Sequence, residues 1–473
     1  MTLSSVPRGT QVFPYTCSCT EKNKRGNGKP PLRARFCMRG HLARNKDTNV
    51  STAPFFYLKA IRTVTAAAVV LSWDLRTDDF KRAYLQADSL SVPMHTRIPP
   101  EAGETDDCVW AFSCPIYGKD DAGRHLFFTQ RKVILSSTNL STSHTHEAVY
   151  YFHRLGALCT YSDDTYSTGT PPFMRKVDDL MEAFRTQKSD VKNVRFAGIH
   201  IEATPDGVAT DGRAYPARLA RVSARAGVPE STPLADPSLY KSVAAGHLWI
   251  PRITRPDRAC DASLLCNRPA PALGDAVDLN RLTAYINDNP LSRVYPRLEE
   301  ASLRISAYAD YSGSPQTPAH RHHQGYLVAA TDDSGRLAPL HWESRRPRRT
   351  VHSKKGGELL AMADAIQDAV DIRNLLAKLL AQPLPITAFT DSAAANNCVV
   401  GCREPSELLS KPDAVLFRQA RHQGTVAEVC RVDSADNPAD ALSKPTFLRV
   451  KPNDSLAAAL SSSQLRTPIR ANT

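Results

Sequence analysis

The alternation of apolar and polar positions changes period several times along the chain, and each change predicts an element. In LRARFCMRG (32–40) large apolar and basic residues alternate, as on an amphipathic strand. FFYLKAIRTVTAAAVVLSW (55–73) predicts a helix with a buried face of small residues, and a short strand should follow into TDDFKRAYLQ. Residues 130–147 are rich in Ser, Thr and His and weakly patterned, whereas VYYFHRLGALCTY (149–161) is apolar and aromatic enough for strand pairing. MRKVDDLMEAFRTQ (174–187) returns to helical spacing, with Val177, Leu180, Met181 and Phe184 on one face, and VRFAGIHIEA (194–203) predicts a strand. The Gly/Pro-punctuated stretch EKNKRGNGKPP near the start predicts a basic loop.

Beyond residue 213 the pattern breaks into shorter pieces rich in Pro and Arg, which predicts a connecting region up to about 300. A second α/β pattern then begins. LRISAYADYSG (303–313), GYLVAAT (325–331) and LAPLHWE (337–343) predict a meander of three strands. GELLAMADAIQDAVDIRNLLAKLL (357–380) is the clearest helix, with a stripe of Leu359, Met362, Ile366, Val370 and Leu376, and PITAFTDS (385–392) predicts another strand. The last twenty or so residues look like a loose tail.

A chain of 473 residues with 42% hydrophobic residues is long enough for two to four cored domains. Its 60 Lys and Arg against 48 Asp and Glu leave a formal charge of +12, which favours a polyanionic partner. The longest small-apolar run, Ala66 to Leu71, is too short to span a bilayer, so no membrane partner is expected. The cysteines number 11, and neither Cys17 with Cys19 nor Cys398 with Cys402 has a second ligand pair at zinc spacing. Free thiols in a reducing, intracellular setting are the expectation.

Two short acidic stretches carry the candidate chemistry of the first half. DDFKRAYLQAD (78–88) and TYSDDTYSTG (160–169) bring Asp79 and the pair Asp163 and Asp164 to the ends of predicted strands. A tight turn would present the pair at its tip, and a strand ending near Asp79 would add a third carboxylate. Three carboxylates repel unless cations neutralise them, and two Mg2+ ions about 4 Å apart would support phosphoryl transfer. An isolated Asp-Asp pair is more often a solvated turn.

In their order and spacing these stretches resemble the reverse transcriptase of copia-type retrotransposon Pol polyproteins. LRARFCMRG is similar to that family's fingers motif KARLVARG, and Thr52-Ala53-Pro54 with IRTVTAAA (61–68) to its APV…IR…LALAA segment. DFKRAYLQ (79–86) stands where the family has DVKTAFLNG, IYGKDDAGR (116–124) for YGLKQAPR, and Tyr161-Ser162-Asp163-Asp164 for YVDD. RFAGIHIEATPDG (195–207) and YKSVAAGHLWIPRITRPD (240–257) resemble two later motifs. The resemblance implies that Asp79, Asp163 and Asp164 hold the polymerase metals. It implies that Tyr84 is an aromatic gate against a ribose 2′-hydroxyl, and that one or more of Arg33, Arg35 and Arg39 meets triphosphate or template. A core aromatic and a solvated strand face are the alternative readings of these four residues.

The C-terminal part offers four acids in suggestive places: Asp310 at a strand end, Glu358 opening the long helix, Asp391 ending the strand in FTDS, and Asp440 in NPADALSKP. This resembles the ribonuclease H domain of the same elements, which reads roughly YSDADWAG, SS..AE, DN or DS, and LADALTK. The resemblance implies two Mg2+ ions here as well, with Mn2+ as the alternative ion, and in-line attack of water on the RNA of an RNA–DNA hybrid. Gly356 and Gly357 replace small or hydroxyl residues and relieve crowding at the helix start. The basic run Arg345-Arg346-Pro347-Arg348-Arg349, with Lys354 and Lys355, either holds a hybrid backbone or is a solvated loop.

The expected fold is therefore α/β (α+β): an N-terminal extension at 1–27, right-hand fingers and palm at 28–225, and a connection at 226–300. A ribonuclease H-like domain at 301–450 and a flexible tail at 451–473 complete it. The implied function is RNA-directed DNA polymerase with ribonuclease H. Its partners would be an RNA template, a DNA primer, their hybrid and deoxynucleoside triphosphates, in cytoplasmic particles whose DNA product is destined for the nucleus. Ser162 in place of Val, Asp120, Asp121 and Gly123 in the altered block, and the unpatterned SSTNLSTSHTHE (136–147) depart from the family. They keep a second reading open: a decayed or truncated copy that binds nucleic acid or keeps only the hybrid-cleaving nuclease.

Overall fold

The structure, a computed structural model, describes residues 1–21, 32–43, 53, 57–104, 107–187, 191–212, 215, 218–224, 227–313, 322–401, 403–445 and 455–465. The stretch EKNKRGNGKPP falls outside the described residues apart from Glu21. The chain opens with β1 (Val12–Phe13) and β2 (Tyr15–Glu21). β2 pairs antiparallel along its whole length with β3 (Leu32–Met38), so the alternating stretch is a strand as expected. Helix α1 (Leu58–Val70) is followed by β4 (Asp74–Phe80), β5 (Met94–Arg97) and β6 (Val109–Phe112), and β1, β5 and β6 form a three-stranded sheet. The first residues are thus built into the first unit and do not form a separate extension.

Helix α2 (Ala122–Ser137) occupies part of the weakly patterned region. Its Leu126, Phe127, Gln130 and Ile134 are buried at helical spacing, a face that the Ser/Thr/His content beyond 136 obscures. Strands β7 (Ser141–Thr142), β8 (Val149–Phe152), β9 (Gly156–Tyr161) and β10 (Asp164–Gly169), helix α3 (Pro171–Glu182) and β11 (Thr186–Gln187) follow. They complete a six-stranded sheet of order β11-β4-β10-β9-β8-β7. Alternation sends Val149, Tyr151, Ala157 and Cys159 into a core shared with α1, and Tyr150 and Leu158 into a second core under α2 and α3. A sheet covered on both faces explains why 149–161 reads as almost continuously apolar.

The strand expected over 194–203 is a hairpin, β12 (Asn193–Phe196) and β13 (Ile199–Thr204). Ala197 and Gly198 both adopt positive φ, 48° and 82°, and make the turn. β14 (Gly207–Asp211) extends it. The connecting region is helical, with α4 (Ser238–Ile253), α5 (Ala259–Cys266) and α6 (Leu273–Asp288) packed on a core of their own. Its last strand, β15 (Arg293–Pro296), pairs with β14, so the connection also completes a sheet of the first unit.

The second unit is a five-stranded sheet of order β18-β17-β16-β19-β20. β16 (Arg304–Ser312), β17 (His323–Thr331) and β18 (Leu337–Arg345) form the expected meander. Helix α7 (Lys354–Leu380) crosses one face and returns the chain to β19 (Ile386–Thr390), parallel to β16. Helices α8 (Ala393–Val399) and α9 (Lys411–His422) lead to β20 (Glu428–Arg431), also parallel. Helices α10 (Asp440–Ser443) and α11 (Ser455–Ser462) close the other face. Leu456 and Leu460 of α11 are buried beside Leu337 and Leu442, so part of the segment expected as a loose tail is core. Among the described residues no helix is long and apolar enough to cross a membrane, and the described cysteines are free thiols, Cys402 lying outside them.

Helix α1 joins the two units. Its Ile61 and Val64 share one apolar cluster with Leu359, Met362 and Ile366 of α7. At its edge Lys59 reaches Asp368 at 2.9 Å and Asp371 at 2.5 Å. Arg62, 3% exposed, stacks 3.6 Å over the Trp342 ring of β18 and donates to the carbonyl of Arg252 at the end of α4. Arg62 also donates to the buried Leu340 carbonyl at 3.5 Å, and Arg62→Ala removes these donors and uncovers the Trp342 ring. We expect it to lower stability by about 2–3 kcal/mol, read as a shift of the urea midpoint. An unchanged midpoint would show that this joint is not a stabilising contact.

Candidate active sites

The first cluster is built by strand pairing. In the β4–β10 register Asp164 lies directly opposite Asp79, and the backbone N–H of Phe80 donates to the carbonyl of Asp163 at 2.8 Å. The β9–β10 hairpin pairs Tyr161 with Asp164, leaving Ser162 and Asp163 as a two-residue loop. Ser162 takes φ +55°, a left-handed conformation that a β-branched residue would strain to adopt. Asp163 is thereby set at the tip, and all three sequence-predicted acids come together. Asp78, next to Asp79, is buried and bound to Arg76 at 2.9 Å, so the two carboxylates of the Asp-Asp pair face different surroundings. Burial, then the charges of Asp163 and Asp79, push the Asp164 carboxyl up to about 6, against the pull of Arg195.

Asp79 and Asp163 open onto a cavity of about 770 Å3 whose walls include Arg35, Phe36, Lys81, Arg82, Trp110 and Tyr117. Of Arg35 and Arg39, whose side chains are described, Arg35 lines it, its guanidinium 5.9 Å from the centre of the Tyr117 ring. Arg39 instead donates to the Thr16 hydroxyl at 2.9 Å, and the side chain of Arg33 lies outside the described residues. Tyr84 is half-buried. Its ring meets Tyr117 edge-on at 4.9 Å, and its hydroxyl lies 3.2 Å from Ser162 Oγ. Of these two tyrosines Tyr117 is the one that lines the cavity, with Tyr84 in contact with it.

The Tyr117 position depends on Gly118. At φ +89°, a Cβ on Gly118 would fall 1.9 Å from the carbonyl oxygen of Met38, where Met38 N–H donates to the Tyr117 carbonyl at 2.8 Å. Gln130, 1% exposed on α2, donates to the Ser162 carbonyl at 3.0 Å and braces the turn. Sequence reasoning missed Gln130, Trp110, Lys81 and Arg82. The last two follow Asp79 within three residues, which was a usable signal, whereas Gln130 sits where the pattern was weakest.

The second cluster is tighter. β16 and β19 run parallel with Ala309 opposite Thr390, so the next residues, Asp310 and Asp391, emerge side by side. Glu358 reaches them from the first turns of α7, whose Ser353 cap accepts from Gly356 N–H at 3.1 Å. A Cβ on Gly357 would lie 2.3 Å from the Tyr311 ring, so only glycine lets this helix start lie so close to β16. Oxygens of Asp310, Glu358 and Asp391 all lie within 4.8 Å of one another. Asp310 and Glu358 are 0% and 1% exposed. Asp310 Oδ1, both Glu358 oxygens and Asp391 Oδ1 are buried without a hydrogen-bond partner, whereas Asp391 Oδ2 accepts from Ser434 at 2.5 Å. Burial, then the charges of Asp310 and Asp391, push the Glu358 carboxyl up to about 9.

Asp440, at the start of α10, approaches the cluster through Lys444, whose ammonium is paired with Asp440 and lies 3.0 Å from Asp310 Oδ2. Ser443 donates to the same Asp310 oxygen. Neither Ser443 nor Lys444 was singled out from the sequence, although Lys444 stands one helical turn beyond Asp440. Hard oxygen ligands that are buried, unpartnered and mutually repelling fit a divalent cation such as Mg2+ or Mn2+. In the preceding basic run, Arg345 is held by Asp364 at 2.6 Å and Arg349 by Asp413, so those two are structural ion pairs.

The chain is similar over most of its length to transposon polyproteins. It is 24% identical over 447 residues to the retrovirus-related Pol polyprotein from transposon RE2 of Arabidopsis thaliana, and 23% over 443 residues to that from transposon RE1. Each match covers 87% of this chain and 29% of the relative, so the chain spans under a third of the curated relatives it matches. No family model matches the chain. Among solved structures, the native prototype foamy virus protease-reverse transcriptase matches 98% of this chain and 75% of its own, at 12% identity and a TM-score of 0.27. The ribonuclease H1 of Halobacterium salinarum NRC-1 matches 33% of this chain and 99% of its own, at 18% identity and a TM-score of 0.24. Superpositions this loose carry no functional weight.

The raised Glu358 carboxyl has a consequence for stability. A carboxyl that is harder to ionise folded than unfolded keeps its proton in the folded chain after the unfolded chain has lost it. Without divalent cations, its contribution to stability is therefore fully present below the unfolded value near 4.5 and is lost as pH rises toward about 9. The slope is at most about 1.4 kcal/mol per pH unit. In EDTA, Glu358→Gln should have a higher urea midpoint than the parent at pH 8, with the gap narrowing toward pH 5. A gap that does not vary with pH would contradict the assignment.

Proposed function

We propose that the chain is the reverse transcriptase and ribonuclease H portion of a copia-type retrotransposon polyprotein, able to copy RNA into DNA and to cleave the RNA of the resulting hybrid. The observation that carries this reading is the presence of two separately built carboxylate clusters in one chain: Asp79, Asp163 and Asp164 at a strand hairpin, and Asp310, Glu358 and Asp391 at a sheet–helix junction. The similarity to transposon Pol polyproteins over most of the chain supports it.

In the first site the fingers, β2 and β3, and the palm, the six-stranded sheet, flank the cavity. Arg35 and Lys81 supply positive charge for a triphosphate, and Tyr117, supported by Tyr84, bounds the sugar side. Asp79, Asp163 and Asp164 would hold Mg2+ ions, which supply charge neutralisation at the attacking 3′-hydroxyl and the leaving pyrophosphate. The Ser162–Asp163 loop fixes where the primer end must lie, and Gln130 keeps that loop from moving.

In the second site Asp310, Glu358, Asp391 and Asp440 would hold the ions beside the scissile phosphate of a hybrid. A hybrid would be read by its A-like shape and 2′-hydroxyls, with Arg346, Arg348 and Lys355 near enough in the chain to the helix start to meet its backbone. The protein would act in cytoplasmic particles. A second reading, a copy that keeps only the hybrid-cleaving nuclease, is favoured by one observation. Among the described residues, the second cluster alone brings three ligand atoms within 4.8 Å of one another.

Two measurements separate these readings. Primer extension on an RNA template should be abolished by Asp163→Asn and retained by Glu358→Gln, while cleavage of a labelled RNA–DNA hybrid should show the reverse. Cleavage without extension in the parent chain would support the nuclease-only reading and sink the polymerase. Arg35→Ala should raise KM for the incoming deoxynucleotide about tenfold, the loss of a charge-assisted contact, with a smaller change in kcat. A KM equal to the parent's would remove Arg35 from the nucleotide site.

A further inference from the structure

The four acids of the second site are not equivalent. Asp310, Glu358 and Asp391 converge within 4.8 Å and keep buried oxygens without hydrogen-bond partners, the only ammonium near Glu358 Oε1 among the described ion pairs being that of the exposed Lys354 at 4.0 Å. Asp440 stands apart from that set and is already matched with a cation, the ammonium of Lys444. The same ammonium lies 3.0 Å from Asp310 Oδ2 and thus bridges the carboxylates of β16 and α10. The bridge is anchored at both ends. The Lys444 backbone N–H donates to the Asp440 carbonyl at 2.9 Å, one turn along α10, and Ser443 donates to the Asp310 oxygen that Lys444 approaches. The Lys444 side chain is 18% exposed, so it is largely withdrawn from water while retaining a path to it.

We propose that Lys444 is a built-in cation of this site. Its ammonium stands between Asp310 and Asp440, where a second divalent ion would bind, and so makes the loading of the site unequal. The open face formed by Asp310 Oδ1, Glu358 and Asp391 takes one ion readily. The Asp310–Asp440 face accepts another only when Lys444 swings toward solvent, because a divalent ion and an ammonium cannot share those two oxygens without repulsion. The lysine stem can make that excursion, since its four-carbon chain is flexible and its charge is readily hydrated. Lys444 thereby also neutralises Asp440 and one side of Asp310 before any ion arrives, which lowers the repulsion the folded chain must tolerate. This inference rests on the reading of the cluster as a divalent-cation site.

The test is calorimetric titration of the full chain with Mn2+, in a background carrying Asp79→Asn and Asp163→Asn to remove ions bound at the first site. The parent should bind one ion tightly and a second at least tenfold more weakly. Lys444→Gln, which keeps hydrogen-bonding capacity without the charge, should bring the second ion to within about threefold of the first, and Lys444→Arg should behave as the parent. Lys444→Met provides the same comparison should the glutamine amide itself bridge the two acids, and a thermal melt in EDTA verifies that each variant is folded. Folded neutral variants with the parent's isotherm would overturn the role of Lys444. A parent isotherm unaltered by Glu358→Gln would overturn the cation-site reading beneath it as well, and so tells the two failures apart.

Discussion

Clustered carboxylates repel, and both units of this chain are arranged so that the backbone holds such groups together against that repulsion. In the first unit a two-residue hairpin loop sets Asp163 at the tip and a cross-strand register places Asp164 opposite Asp79. In the second, two parallel strands carry Asp310 and Asp391 side by side and a helix start lies over them, its glycine against the Tyr311 ring. Burial first, and the neighbouring acidic charges second, raise the carboxyls of Asp164 and Glu358. The repulsion is offset by what surrounds them: Arg195 near Asp164, Lys444 beside Asp310, and cations when present.

The two sites need fixed surroundings, and helix α1 supplies a common one. Its small, apolar face lies on the six-stranded sheet while Ile61 and Val64 share a core with α7. Lys59 and Arg62 then tie it to Asp368, Asp371 and Trp342 of the second unit. A helix dominated by Ala, Val and Thr suits this position, because small side chains allow close approach on two sides at once. The same logic makes the connecting region more than a linker, since β15 completes a sheet begun before it.

Much of this was legible in the sequence where one period dominated. The alternation of 32–38, the small-residue face of 58–70, the meander of 304–345 and the stripe of α7 all appear as expected, and the acids fall at strand ends, loop tips or helix starts except Asp310, which lies inside β16 two residues before its end. What was not legible depended on partners distant in the chain. The break at Ala197-Gly198 follows from two left-handed residues within an otherwise strand-like run. Helix α2 was hidden because its buried face includes Thr129 and Gln130, polar residues whose bonds go to the backbone of His125 and of the Ser162–Asp163 loop. Which of Arg33, Arg35 and Arg39 meets the cavity could not follow from alternation, since all three share one strand phase or its continuation. Between Arg35 and Arg39, whose side chains are described, the packing of Tyr117 beside β3 decides for Arg35. The pairing of Asp440 and Asp310 with a common ammonium likewise depends on Lys444, just past the end of α10.

The central claim is that one chain carries both activities on one nucleic acid, and the spacing of the two reactions tests it most directly. A 5′-labelled RNA template is annealed to DNA primers that end at successive positions, and the RNA fragments are sized with Mg2+ present and deoxynucleotides withheld. If the first cluster holds the primer end while the second cleaves the same hybrid, the cuts must move along the RNA in step with the primer terminus, at a constant separation. Cuts whose positions ignore the primer terminus would contradict the account, because the two clusters would then not be acting on a single bound duplex.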